Sequence, residues 1–401
     1  MKQVSYVIST YTSDVSGVCS ALYELGGMVV IHDPSGCNST YNTHDEPRWF
    51  DQDSLIFISG LSQMDAVMGN DDKFIEDILR AAEELSPKFI ALVRSPIPLM
   101  IGTDFEGIAM EIETRSGIPT FFIPTTGMKS YGKGAGMALE LVVRELMKGP
   151  IKTEPFTKGD GFKAKESKAK LNLLGTTPLD FSVNDTFSDL CKIVEEEGFE
   201  LLGSLSYETD YETMMRMPEA DVNLVVTSSG LAAAKAMEER FHIPYVVGFP
   251  CGSVREEVFS KVKLALEEGK SYFCQPLLAE EEEAVVQEKI LSENQNEKVG
   301  VLIHEPVIAA CLSADLSRHY GKIQPVTMLD CPEELRKGNL LCLESEEEVE
   351  DCMKEAAFAV ADPMFAPICP KEIPFYHLAH EAFSGRTYRK QIPNLLKIDF
   401  L

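Results

Sequence analysis

The stretch Gly26-Gly27-Met28-Val29-Val30-Ile31-His32-Asp33-Pro34-Ser35-Gly36-Cys37-Asn38 decides the fold. Met28 to Ile31 is a short apolar, β-branched run, the pattern of a strand buried on both faces. It stops at Asp33-Pro34-Ser35-Gly36, where Pro fixes φ and Gly admits a positive φ, so a turn follows. Cys37 is therefore expected in a tight loop just past the carboxyl end of a strand. Open α/β sheets bind ligands at that edge. A thiol there can ligate a metal, act as a nucleophile, or fill space as a small buried hydrophobe. Burial statistics alone favour the last of these.

Outward from this stretch, short apolar runs alternate with longer helical patterns. Strands are expected at Met28–Ile31, Leu55–Ser59, Phe89–Val93 and Pro119–Ile123, with helices at Asp72–Leu85, Phe105–Ser116 and Gly134–Met147. Such alternation means a parallel sheet with helices on both faces. Lys148 to Lys170 is rich in Lys, Gly and Thr with little periodicity and reads as a linker. A second alternating block starts at Leu171, with strands at Leu201–Leu205, Val222–Thr227 and Pro244–Phe249 and helices at Thr186–Glu197, Leu231–Phe241 and Val254–Glu268. Glu280-Glu281-Glu282-Glu283 reads as the acidic start of a solvated polar helix reaching Ser292. A third block runs from Val299, with helices at Pro306–Tyr320 and Ser345–Ala356. The expected architecture is α/β: three Rossmann-like domains with parallel sheets, at 1–150, 151–275 and 276–401. No GxGxxG or GxxxxGK[ST] loop follows any first strand, so no dinucleotide or P-loop site is expected. Lys129-Ser130-Tyr131-Gly132-Lys133-Gly134 lacks the Walker spacing and is assigned no nucleotide.

The formal net charge is -27. It argues against nucleic-acid binding, which needs clustered Lys and Arg, and against docking on an anionic membrane. Met1-Lys2-Gln3-Val4-Ser5-Tyr6 is not the start of a secretory signal, and no apolar run reaches the length of a membrane span. The expected location is cytoplasmic. The ten cysteines contain no CxxC pair, so neither a zinc ribbon nor a thioredoxin motif is present, and they read as reduced thiols.

Several stretches together carry a resemblance. His32-Asp33-Pro34-Ser35-Gly36-Cys37 resembles an HGPxGC motif. Ser59-Gly60-Leu61-Ser62 with Asp65-Ala66-Val67-Met68-Gly69, and Ser95-Pro96-Ile97-Pro98 with Ile101-Gly102-Thr103-Asp104, follow in the matching order. So do Asn223 to Thr227, Met237 to Arg240, Ala361-Asp362-Pro363 and Phe383-Ser384-Gly385. In this the chain resembles the nitrogenase component 1 family, which includes dinitrogenase subunits, cofactor-assembly scaffolds, light-independent protochlorophyllide reductases and a nickel-tetrapyrrole reductive cyclase. The resemblance implies an iron–sulfur cluster, of 4Fe-4S type, ligated by Cys37 at the interface of a homodimer or a dimer with a paralogous subunit. It implies electrons from a separate ATP-dependent iron–sulfur reductase and a small-molecule substrate. The departures are equally specific. The family's other cluster cysteines fall near Tyr11 or Thr12 and on Ser95. Its cofactor-anchoring Cys falls on Thr227, and its His on Ala379, one position before His380. Dinitrogen is therefore not the expected substrate, and a non-catalytic scaffold or carrier for metallocofactor assembly is the alternative.

A cubane wants four ligands, normally Cys, so Cys37 alone cannot hold one. A twofold interface would supply a second Cys37. Cys19, read at the start of the first helix, is either a further ligand activated by the helix N-terminus or a small residue packing helix on sheet. Ser95 is either a ligand or a turn-capping residue. His32 and Gly36 shape the cluster loop, His32 through a hydrogen bond. Cys251, between a strand and a helix, either lines the inter-domain cleft as an activated thiol or packs a loop. Cys369 is a weaker case of the same kind. His377 and His380 are spaced to share a helical face, and His44, Asp45 and Glu46 read as a polar loop beyond Cys37.

Overall fold

The computed structural model describes residues 6–7, 13–34, 36, 46–69, 71–150, 168–278 and 299–398. Cys37, His44, Asp45, the expected polar helix 280–292 and most of the 148–170 linker lie outside the described residues.

The first unit contains α1 (Asp14–Leu22), β1 (Met28–His32), β2 (Leu55–Ile58), α2 (Gln63–Met68), α3 (Asp71–Leu85), β3 (Ile90–Arg94), α4 (Pro96–Ile101), α5 (Phe105–Ser116), β4 (Thr120–Ile123) and α6 (Tyr131–Leu141). Its sheet is parallel, in the order β2-β1-β3-β4. All five residues of β1 are buried, because the strand is central and apolar on both faces. Alternation then divides the strands between two apolar layers. Val29, Ile31, Ala91 and Val93 join the main core, while Met28, Val30, Ile90 and Leu92 meet Phe74, Ile75 and Ile78 of α3 and Phe105, Ile108 and Ile112 of α5.

The second unit contains β5 (Lys170–Leu174), α7 (Pro178–Phe181), α8 (Thr186–Glu196), β6 (Glu200–Leu205), α9 (Tyr211–Arg216), β7 (Val222–Val225), α10 (Leu231–Phe241), β8 (Tyr245–Val247), α11 (Arg255–Glu268) and β9 (Tyr272–Phe273). Its parallel order is β6-β5-β7-β8-β9. The third contains β10 (Gly300–Ile303), α12 (Pro306–Tyr320), β11 (Ile323–Thr327), α13 (Glu333–Arg336), β12 (Leu341–Cys342), α14 (Glu346–Lys354), β13 (Ala359–Ala361), β14 (Phe375–His377) and α15 (Glu381–Ser384), in the parallel order β12-β11-β10-β13-β14. The α/β reading with three parallel sheets therefore holds. Two sheets have flavodoxin-like order and the third has the order of a classical dinucleotide fold. No helix among the described residues is long and apolar enough to cross a membrane.

The structure corrects several local readings. The helix read at Gly134–Met147 begins at Tyr131 and ends in a π-helical turn, Val142–Leu146. His377 and His380 do not share a helical face: His377 ends the short strand β14, while His380 precedes α15 and is buried. Residues 392–397 leave the third unit and return to the second. Asn184 Nδ2 donates to the carbonyls of Ile392 and Pro393, and the Leu395 amide donates to Thr186 Oγ1.

Helices α1 and α6 cross in backbone contact. A Cβ on Gly17 would lie 1.9 Å from the Tyr131 carbonyl oxygen, and one on Gly134 would lie 1.9 Å from that of Asp14. Gly134 of the Lys129–Gly134 stretch thus serves helix packing. The crossing is locked by the buried Asp14 carboxylate, which accepts hydrogen bonds from the amides of Thr126 and Gly127, each at 2.8 Å, and of Val15 at 2.9 Å.

Candidate functional site

In an order of β2-β1-β3-β4 the chain reverses its direction of winding between β1 and β3. A crevice opens there at the carboxyl ends of the strands. His32 and Asp33 lead out of β1 into the Gly36 loop, and Ser95 follows β3 as the N-cap of α4. The Ser95 amide meets the His32 carbonyl at 3.4 Å, so strand register places Ser95 beside the root of the Cys37 loop. Its hydroxyl is fully buried and has no hydrogen-bond partner among the described residues. Leaving such a group unpaired costs roughly 1–3 kcal/mol. His32 Nδ1 is 2.8 Å from Ser59 Oγ, and its ring lies 4.1 Å from that of Phe74. Burial pushes the imidazole down to about 4, against the opposing charges of Asp33 and Asp65. His32 is thus neutral, and Ser59 fixes its ring. Among the described residues nothing lies within 4 Å of a Cβ placed at Gly36.

The described residues do not assemble a complete metal site: no group of three His, Cys, Asp or Glu among them is placed to hold an ion. Cys19 is not at a helix N-terminus. It is the sixth residue of α1, fully buried in the main core, and burial raises its thiol far above its usual value. The activation expected from a helix terminus is thereby reversed, and the packing role is the one the structure gives it. Cys251 does precede a helix, capping the short turn Gly252–Val254 that leads into α11, but it is buried near Cys311 and Asp315 of α12 and burial pushes its thiol well up, so no activation results. Cys369 is half-buried, with its Sγ–H toward the Pro370 carbonyl.

Two further polar clusters escape a local reading of the sequence. Arg48 is buried between the first and second units. It donates to Glu46 at 2.6 Å, Glu24 at 2.7 Å, the Ser20 carbonyl at 2.8 Å and the Ser206 carbonyl at 3.1 Å. Its guanidinium stacks 4.6 Å from the Tyr23 ring centre.

The second cluster lies where the three units meet. Asp180, after β5, accepts hydrogen bonds from Tyr131 of the first unit and from Thr177 Oγ1, and sits 3.4 Å from His380 Nε2 of the third. The His304 ring packs 4.4 Å from that of His380. Glu305, after β10, accepts from the Ser228 amide after β7 at 2.6 Å and caps α12 through the amides of Val307 and Ile308. Both nitrogens of His304 and Nδ1 of His380 lack partners among the described residues. Burial dominates every titration here. It raises Asp180 to about 7 and Glu305 to about 8, and lowers His380 to about 3 and His304 well below its usual value. Near pH 6 the cluster is therefore close to uncharged, although it contains two carboxyls and two imidazoles, and Asp180 ionises around neutrality. Thr227 and Ala379 are buried at its edge. Thr227 Oγ1 donates to the Gly175 carbonyl at 2.6 Å, so it has a structural partner of its own. His304 and Glu305 carry one local signal: they directly follow the apolar run of β10, as Ile303-His304-Glu305.

Comparison with known proteins places this geometry. The chain is 25% identical over 226 residues to the nitrogenase iron-molybdenum cofactor biosynthesis protein NifE of Klebsiella pneumoniae, covering 55% of this chain and 48% of that protein. It is 22% identical over 263 residues to one of the subunits of the light-independent protochlorophyllide reductase of Leptolyngbya boryana, covering 63% and 51%. It thus spans about half the length of these curated relatives. The solved structure described as nitrogenase Cp1 at pH 6.5 superposes with a TM-score of 0.65 at 15% identity, over 99% of this chain and 94% of that one, which shows a shared fold. Residues 15–290 match the family described as nitrogenase component 1 type oxidoreductase, and the chain belongs to that family.

Proposed function

We propose that this chain is a nitrogenase-like subunit whose Cys37 loop takes part in holding an iron–sulfur cluster at the carboxyl edge of the first sheet. The cluster lies against a second component 1 type chain, either another copy or a paralogue. One observation carries the reading. The two short helices that follow β2 and β3 expose apolar side chains: Met64, Val67 and Met68 on α2, and Ile97, Met100 and Ile101 on α4. Two short helices that bury little of their own apolar surface are the signature of a face covered by another protein. Among the described residues the Ser95 hydroxyl is the one candidate donor left at this edge, and Cys37 by itself cannot complete a cubane, so in this reading the remaining ligands fall to the partner. When bound, such a cluster supplies one-electron chemistry. This chain's own contribution is to fix the loop through His32 and Ser59 and to bury the crevice floor.

In this reading electrons come from an ATP-dependent iron–sulfur reductase, and a small molecule other than dinitrogen is reduced. A non-catalytic scaffold or carrier is the second reading. Thr227 and Ala379 favour it, since they bring neither a thiolate nor an imidazole to the positions where the resemblance puts cofactor anchors. The test is anaerobic purification with iron and sulfide analysis and an EPR spectrum, wild type against Cys37→Ala. Iron, sulfide and a cluster signal that Cys37→Ala abolishes support the reading; a colourless, metal-free wild type overturns it. Reductase- and ATP-dependent turnover then separates catalyst from scaffold.

A further inference from the structure

Arg94 ends β3, where register sets it beside His32 of β1. Alternation puts its side chain on the sheet face of Ile90 and Leu92, toward α5. The guanidinium carbon lies 5.3 Å from the centre of the Phe122 ring, which stacks on Phe105 of α5 at 4.7 Å. Thr125 holds the rest of the residue. Its Oγ1 donates to the Arg94 carbonyl at 2.6 Å and accepts from the Arg94 amide at 3.1 Å, and its carbonyl accepts from Arg94 Nε at 3.0 Å. The two Nη groups are left without a hydrogen bond or a carboxylate among the described residues. A chain with 64 acidic and 37 basic residues has carboxylates in excess, and Arg80, Arg115, Arg144, Arg216 and Arg255 each hold one. Arg94 is half-buried and fixed, so an incoming carboxylate would meet a fork that is already oriented.

The chain continues from Arg94 into α4, which exposes Ile97, Met100 and Ile101, and then into the first turn of α5. There Glu106, one residue after Phe105, is exposed and forms no ion pair among the described residues. One surface thus carries a cation without an anion, an anion without a cation, and apolar side chains on the helix that links them. A surface of that composition is complementary to itself, which is what a twofold contact between identical chains requires. We propose that this surface pairs with a second copy of this chain, the Arg94 guanidinium of each copy receiving the Glu106 carboxylate of the other. This pairing rests on the reading that a second component 1 type chain covers this edge, and it makes that chain a copy and not a paralogue.

The experiment measures dimerisation of the full chain by sedimentation equilibrium over a dilution series, for wild type, Arg94→Glu, Glu106→Arg and the double variant. Circular dichroism verifies that each is folded, and iron and sulfide are assayed on the same samples. Each single variant sets like charges opposite one another and should raise the dimer Kd about 10-fold or more. The double variant exchanges the two charges and should return to within about threefold of wild type. An equimolar mixture of the two single variants should form a mixed dimer more tightly than either forms its own. The proposal is overturned if wild type sediments as single chains, including the case in which it pairs only with a co-expressed paralogue. It is also overturned if the single variants associate as tightly as wild type, or if the double variant is no tighter than the singles. A metal-free dimer that obeys the charge exchange upholds the pairing and overturns the cluster; a cluster-bearing chain indifferent to the exchange does the reverse.

Discussion

Asp180 accepts hydroxyl donors from Tyr131 and Thr177, yet burial outweighs both and moves its carboxyl from 3.8 to about 7. Between those values the native state keeps a proton that the unfolded chain has released, so stability falls as pH rises through that window. Glu305 extends the same loss to about 8. His380 acts in the opposite direction. Its native imidazole, pushed from 6.5 to about 3, refuses a proton that the unfolded chain binds, so stability falls as pH drops below 6.5. His304, lowered in the same way, adds a second such contribution, so carboxyls and imidazoles offset each other between about 4.5 and 6.5 and the junction loses stability on either side of that range. Asp180→Asn, which keeps the shape and cannot ionise, should gain stability relative to wild type as pH rises from about 4 to 7, with the difference constant above 7. Urea midpoints measured from about pH 4 to 8 check this, and parallel profiles in wild type and variant would refute it. None of these groups was legible as a cluster in the sequence. Tyr131, Asp180, His304 and His380 come from separate parts of the chain, with 249 positions between the most distant pair, and only the meeting of three sheets joins them. Local periodicity carries no such information.

The crossing of α1 and α6 makes a sharper demand on sequence. With the Asp14 carbonyl 1.9 Å from any Cβ at position 134, Gly134→Ala must separate the helices or distort their backbones. The expected loss is about 1–3 kcal/mol or more, seen as a lower urea midpoint. A similarly buried alanine substitution without such a contact, such as Ser313→Ala, whose hydroxyl has no partner among the described residues, should cost less. Elements long enough to show a period were readable. Phe105–Ser116, Leu231–Phe241 and Pro306–Tyr320 appear at the expected limits. Strands β9, β12 and β14, of two or three residues, are too short to display alternation and were not. Ser95 was legible as a position but not as a fully buried hydroxyl without a described partner, because that depends on β1 and β3 lying side by side. Cys19 was misplaced for a related reason: α1 begins at Asp14, capped by Ser13, and not at the glycine that precedes the cysteine.

At the scale of the whole molecule, the apolar rim of the first sheet should act as an interface. Val67 and Met100 are 76% and 84% exposed there. Val67→Glu with Met100→Glu should weaken association with the second component 1 type chain by roughly 2 kcal/mol or more, with an unchanged circular dichroism spectrum. Light scattering would then report single chains where wild type reports pairs. A wild-type protein that stays single alone and with its co-expressed paralogue would refute this. The return of residues 392–397 to α8 has a consequence for biosynthesis. Asn184 finds the Ile392 carbonyl 208 positions further along, and Asp189 receives Lys397 and Asn394. During translation the second unit therefore emerges from the ribosome well before the strap that closes its flank. Until that strap arrives, the nascent chain carries an open seam beside α8, and shielding it falls to chaperones.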